Sequence, residues 1–142
     1  MIRTGNEKLD VRTLVLPVAA GESIREATMV AIGPDGYAVT ATKAADLTVA
    51  GMAVVPADNS AGTDGAVSVT VRRGAFVTEN SATAANVVKQ TDILQTCYIE
   101  DEVTVSMSST GSSPAGTVLA VDPEGVTVEF NQPYVPATPN AG

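Results

Sequence analysis

Between residues 58 and 76 the chain reads DNSAGTDGAVSVTVRRGAF, and the second half of that stretch constrains the fold most. Val67, Val69 and Val71 fall on one side of an extended chain, Ser68, Thr70 and Arg72 on the other. A period of two with one apolar and one polar side describes a strand buried on one face and wet on the other. Residues 58–65 ahead of it are turn chemistry, because Asn and Asp bond their own backbone and Gly supplies positive φ. Gly74 interrupts the run, and residues 75–79 resume it.

The same grammar recurs along the chain. VRTLVLPV (11–18) reads as a strand whose Pro17 belongs at a sheet edge. TMVAIG (28–33) and YAVTAT (37–42) flank Pro34-Asp35-Gly36, the spacing of a hairpin. LTVAGMAVV (47–55) carries Gly51 inside it, which signals a bulge or a bend that curls a sheet toward a barrel. TCYIE (96–100), VTVSM (103–107), GTVLAV (116–121) and VTVEF (126–130) follow, the last two joined by the tight turn Asp122-Pro123-Glu124-Gly125. One short helix is expected over AANVVKQ, capped by Thr83, with Val87 and Val88 turned inward. Many short strands separated by turns predict an all-β barrel or sandwich. Composition agrees: 44% of the chain is hydrophobic but only 4% aromatic, so valine and alanine build the core. β-Branched side chains favour pleated sheet over helix.

Both ends depart from this pattern. Residues 1–20 read as an N-terminal arm leading into the first strand, and 131–142, NQPYVPATPNAG, as a proline-rich C-terminal tail. Twelve extended residues span up to ~40 Å, enough to lie across a neighbouring subunit.

Charge and residue types narrow the functional classes. Eight basic against sixteen acidic residues give a net charge of −8, which argues against nucleic acid and against an anionic membrane as partners. With no histidine in the chain, the Ser-His-Asp triad, the Cys-His pair and the usual zinc sites are excluded. The single cysteine, Cys97, has no internal disulfide partner and reads as a small buried hydrophobe. Glu100-Asp101-Glu102 reads as a hairpin turn and not a calcium cluster, because neighbours along a strand point opposite ways. Asp58, Asn59 and Asp64 lack the spacing of a calcium loop and read as a β-turn. No catalytic residue, cofactor or metal is expected. Two features invite a partner instead: Arg72–Arg73, either a local ion pair at a sheet edge or an interface anchor, and Tyr134 in the tail.

The stretch GESIREATMVAIGPDGYAVTATKAADLTVAGMAVVPADNSAGTDGAVSVTVRRGAF, followed by SSPAGTVLAVDPEGVTVEF, resembles the capsid cement (head decoration) proteins of tailed bacteriophages. The shared march is an "MVA" entry strand, a "DGYAV" hairpin, a "GMAV…DNSAG" crossing, a "V.V.RRG.F" strand and an "AG.VL.VD..GV.V.F" hairpin. The likeness covers roughly residues 21 to 130 and departs from the family pattern between Val87 and Gln95 and at both ends. It implies a small β-barrel-like protein docked on the outer face of a phage head. Such proteins sit as homotrimers where major capsid subunits meet and add no chemistry. On that reading the chain belongs to the virion and assembles in the host cytoplasm. Expected contact residues are Ile2 and Arg3 in the N-terminal arm, Arg72 and Arg73, and Tyr134 and Val135 in the tail. The alternative is a carbohydrate- or receptor-binding β-module of a virion or secreted protein, disfavoured by the scarcity of aromatic residues.

Overall fold

The structure, a computed structural model, describes Gly5 and residues 12–130. Ile2, Arg3, Tyr134 and Val135 lie outside the described residues.

The fold is all-β, as expected, and is built from two main sheets. The first half supplies β1 (Thr13–Pro17), β2 (Ser23–Ile24), β3 (Met29–Ile32), β4 (Ala38–Thr40), β5 (Thr48–Val55), β6 (Ala57–Asp58) and β7 (Ser68–Arg72). The second supplies β8 (Gly74–Asn80), β9 (Thr96–Ile99), β10 (Thr104–Ser106), β11 (Pro114–Asp122) and β12 (Gly125–Phe130). Strands β1-β7-β5-β3-β4 form an open antiparallel sheet, β2 and β6 a small separate pair, and β10-β8-β12-β11-β9 a closed five-stranded barrel. Closure comes from one parallel pairing, Thr104 with Glu79 and Val105 with Asn80. Pro17 ends the edge strand β1, where its missing N–H costs no ladder bond.

Two hydrophobic clusters explain the strand patterns. One fills the barrel and the layer beneath the open sheet, joining Met29, Ala31, Val49 and Met52 to Ile99, Val105, Val118, Val126, Val128 and Phe130. The other covers the sheet's opposite face, with Val18, Ile24, Val30, Ala38, Ala50, Ala53, Val69 and Val71. Strands β3 and β5 are therefore covered on both sides and read as continuous apolar runs. Only one face of β7 is covered, so its burial alternates and Val69 and Val71 are fully enclosed.

Gly51 sits at the bulge anticipated from its place in the strand. The β3–β5 register pairs Val30 with Gly51 and Ala31 with Val49, leaving Ala50 as the extra residue. Gly51 adopts φ 154°, and a Cβ there would be driven into the carbonyl oxygen of Arg72. Glycine is thus required twice, by conformation and by the approach of β7.

The helix expected after Thr83 does not form. Asn86 N–H bonds Thr83 O at 2.9 Å in a turn, and the chain then runs extended to a single 3-10 turn at Gln90–Asp92. The reason is competition from a side chain. Asn80 receives the N–H of Val88 at 2.8 Å and donates to the carbonyl of Val88 at 2.9 Å, standing in for a neighbouring strand. The carbonyl of Asn86 is also engaged, by Met107 N–H at 2.8 Å. Backbone groups held this way are unavailable to helical bonds. Val88 is nonetheless buried as expected, and Val87 is half-buried.

Candidate functional site

The chain leaves the open sheet and enters the barrel at Arg72-Arg73-Gly74. Arg72 is the last residue of β7 and Gly74 the first of β8, with φ 127° at the glycine making the change of direction. Strand β7 is second in its sheet, not an edge, and Arg72 is exposed with no ion pair to any described residue. The reading as a local ion pair at a sheet edge therefore does not hold for Arg72. Arg73 is half-buried, and its N–H donates to Arg12 O at 2.7 Å. Thr13 lies opposite Arg72 in the ladder and Phe130 opposite Gly74. Arg12 and Phe130, the residues from which 1–11 and 131–142 extend, thus flank the same basic corner.

Register builds the surface around that corner. Met52 lies directly opposite Arg72, and a bulge later Val55 lies opposite Thr70, which Val15 faces from the other side. Directly paired residues project from the same side of a sheet, so Val15, Thr70, Val55, Arg72 and Met52 share one face. It is the face that the barrel covers at Met52 but not at β1 and β7, so Val15 is 65% exposed and Val55 52%. Beside Met52 opens a hollow of about 280 Å³ lined by Ala27, Met52, Val77, Thr78, Glu79, Val103 and Glu124. Val77, on its barrel wall, is 59% exposed. Two of the five exposed large apolar side chains among the described residues, Val15 and Val55, thus share a face with Arg72, and a third, Val77, lines the hollow beside Met52 together with Glu79 and Glu124.

That arrangement is chemically suited to docking. An apolar centre with charged groups at its margin is the anatomy of an interface core and rim. Val15, Val55, Val77, Met52, Glu79 and Glu124 were not singled out in the sequence. The available signal was the unbroken Leu14-Val15-Leu16, since on an edge strand one of three consecutive apolar residues must face outward.

The other polar clusters serve the fold. The loop at residues 58–66 is organised around Asn59, only 2% exposed, whose side-chain N–H groups approach the carbonyls of Val18 at 3.1 Å, Ala19 at 3.1 Å and Thr63 at 2.8 Å. Asp64 Oδ1 accepts the N–H of Ala20 at 2.8 Å. Bonds from the Ser60 hydroxyl and then its N–H hold the Asp58 carboxyl below the usual carboxylate range. Glu100-Asp101-Glu102 forms the β9–β10 turn; Asp101 accepts Val103 N–H at 2.9 Å, and Glu102 pairs with Arg25 at 3.5 Å. Among the described residues no three His, Cys, Asp or Glu side chains are placed to share a metal ion. Cys97 is buried, burial pushes its thiol from the ordinary 9.0 up to about 12, and the thiol donates to the carbonyl of Gly116 at 3.6 Å. A second, open cleft of about 610 Å³ lies between the β3–β4 hairpin, residues 45–48 and residues 112–114. At its edge the buried Ser113 hydroxyl donates to Ala44 O at 2.7 Å and accepts Leu47 N–H at 3.1 Å.

Comparison with protein-family models, with curated proteins and with solved structures finds no match to this chain.

Proposed function

We propose that this chain is a non-enzymatic capsid decoration protein, a homotrimer that binds the outer surface of a phage head where major capsid subunits meet. The observation that carries the reading is the exposed Val15–Val55 face with Arg72 on it, beside the Met52 hollow that Val77, Glu79 and Glu124 line, and with the residues that lead into both terminal segments at the same corner. Exposed valines on a sheet locked by a barrel offer a rigid docking surface with little ordering entropy to lose. Repeated over a lattice, many such shallow contacts add up through multivalency. A net charge of −8 suits the outer side of a shell filled with DNA, where an acidic protein inside would be repelled. The sequence likeness to cement proteins points the same way.

The test is co-sedimentation of the full chain with purified heads stripped of it, followed by heating or osmotic shock. Saturable occupancy and a higher rupture threshold are expected. Heads that neither bind the protein nor gain toughness from it end the proposal.

A further inference from the structure

We propose that the hollow beneath Met52 is a socket for Arg72 of a neighbouring copy of this chain. This deepens the reading above by naming the contact through which copies assemble.

The hollow has the chemistry for an arginine. Its apolar part is Ala27, Met52, Val77 and Val103, and its carboxylates are Glu79 and Glu124. A guanidinium on a three-methylene stem matches that pairing, with the stem on the apolar floor and the fork on the carboxylates. Glu102, the nearest further carboxylate in sequence to Val103, is already engaged by Arg25.

The same face supplies the occupant. Arg72 is exposed, makes no ion pair with a described residue, and stands directly opposite Met52 in the β5–β7 ladder. Opposed residues have Cα atoms about 5 Å apart, so the cation and the hollow are neighbours on one surface. Within one chain the arginine is nonetheless not bonded to either glutamate. Two copies with that face apposed can each set Arg72 against the other's Glu79 and Glu124.

Charge selects this contact over others. Copies carrying −8 apiece repel at long range, so association requires a cation opposite carboxylates together with apolar surface removed from water. Val15 and Val55, on the same face, extend the apolar area beyond the socket. The contact joins two different elements of one face, which permits a reciprocal pair or a closed ring.

The experiment is light scattering on the full chain over a dilution series, with variants Arg72→Glu and Glu79→Arg/Glu124→Arg. The wild type is expected to run as an oligomer whose mass reads the copy number. Each variant alone should need at least about tenfold higher concentration to assemble, with a melting temperature equal to the wild type's only at dilutions where both are monomeric. Combining the three substitutions in one chain, Arg72→Glu/Glu79→Arg/Glu124→Arg, should restore assembly, because the reversed charges then face each other at every contact of a pair or a ring. A monomeric wild type, single-sided variants that assemble like it, or a combined variant that stays monomeric each overturn the socket. Head binding is scored separately. A monomer that still saturates heads removes the socket and leaves the capsid reading standing; an Arg72-dependent oligomer that ignores heads does the reverse.

Discussion

The side-chain amide of Asn59 donates to the backbone carbonyl of Val18 at 3.1 Å, tying the β6–β7 loop to the segment that follows the edge strand β1. The backbone reinforces the tie: Asn59 N–H bonds Glu22 O at 2.7 Å, and Gly21 N–H bonds Asn59 O at 3.0 Å. Gly62 is part of the same device, since a Cβ there would collide with Asn59 Oδ1. Asn59→Ala should cost about 1–2 kcal/mol, because it removes a buried donor shared by three carbonyls, each of which keeps one backbone N–H partner. Urea denaturation of the two proteins checks this, with the midpoint falling and the slope unchanged.

Gly51→Ala should be at least as damaging, by about 2–4 kcal/mol. The residue must keep φ 154° while its new methyl meets Arg72 O and, at 2.9 Å, Val71 Cγ1. The strain falls where β5 and β7 cross the docking face, so the variant should also assemble poorly. Thermal melting, compared with the exposed Gly36→Ala as a control for positive φ without a collision, separates the two terms.

Cys97 should make stability pH-dependent only in the alkaline range. The folded thiol titrates near 12 and the unfolded one near 9.0, so below pH 9 both states hold the proton and nothing changes. Between those values the unfolded chain loses the proton and the folded one keeps it. Stability therefore falls as pH rises, by at most about 1.4 kcal/mol per unit. Cys97→Ala should remove that slope. Denaturant midpoints at pH 8 and about pH 10.5 for both proteins provide the comparison, and a thiol reagent should label the native protein slowly.

Val15→Thr and Val55→Thr keep β-branching and the outward position while adding a hydroxyl. Each should alter stability by no more than about 0.5 kcal/mol, since both side chains are more than half exposed. Together they should lower occupancy on purified heads several-fold. Unchanged occupancy would remove this face from the docking surface and leave the task to other parts of the chain.

Periodicity reached the residues whose surroundings are local. Alternating valines marked β7, the Pro34-Asp35-Gly36 and Pro123-Glu124 turns marked two hairpins, and Gly51 marked its bulge. The helix expected after Thr83 failed because its backbone partners, Asn80 and Met107, come from other parts of the barrel. Of the expected contact residues, Ile2, Arg3, Tyr134 and Val135 fall outside the described residues, and Arg72 and Arg73 mark the corner between the two sheets.

The amino-acid sequence alone determined that this protein is a sheet of valines and alanines, since side-chain branching and turn chemistry act within a few residues. Only the tertiary structure decided that β8 meets β10 in parallel to close a barrel, and that β1 and β7 extend past its cover. Those outcomes depend on which surfaces meet, and Val15, Val55 and Val77 look like core residues in sequence until the packing leaves them more than half exposed.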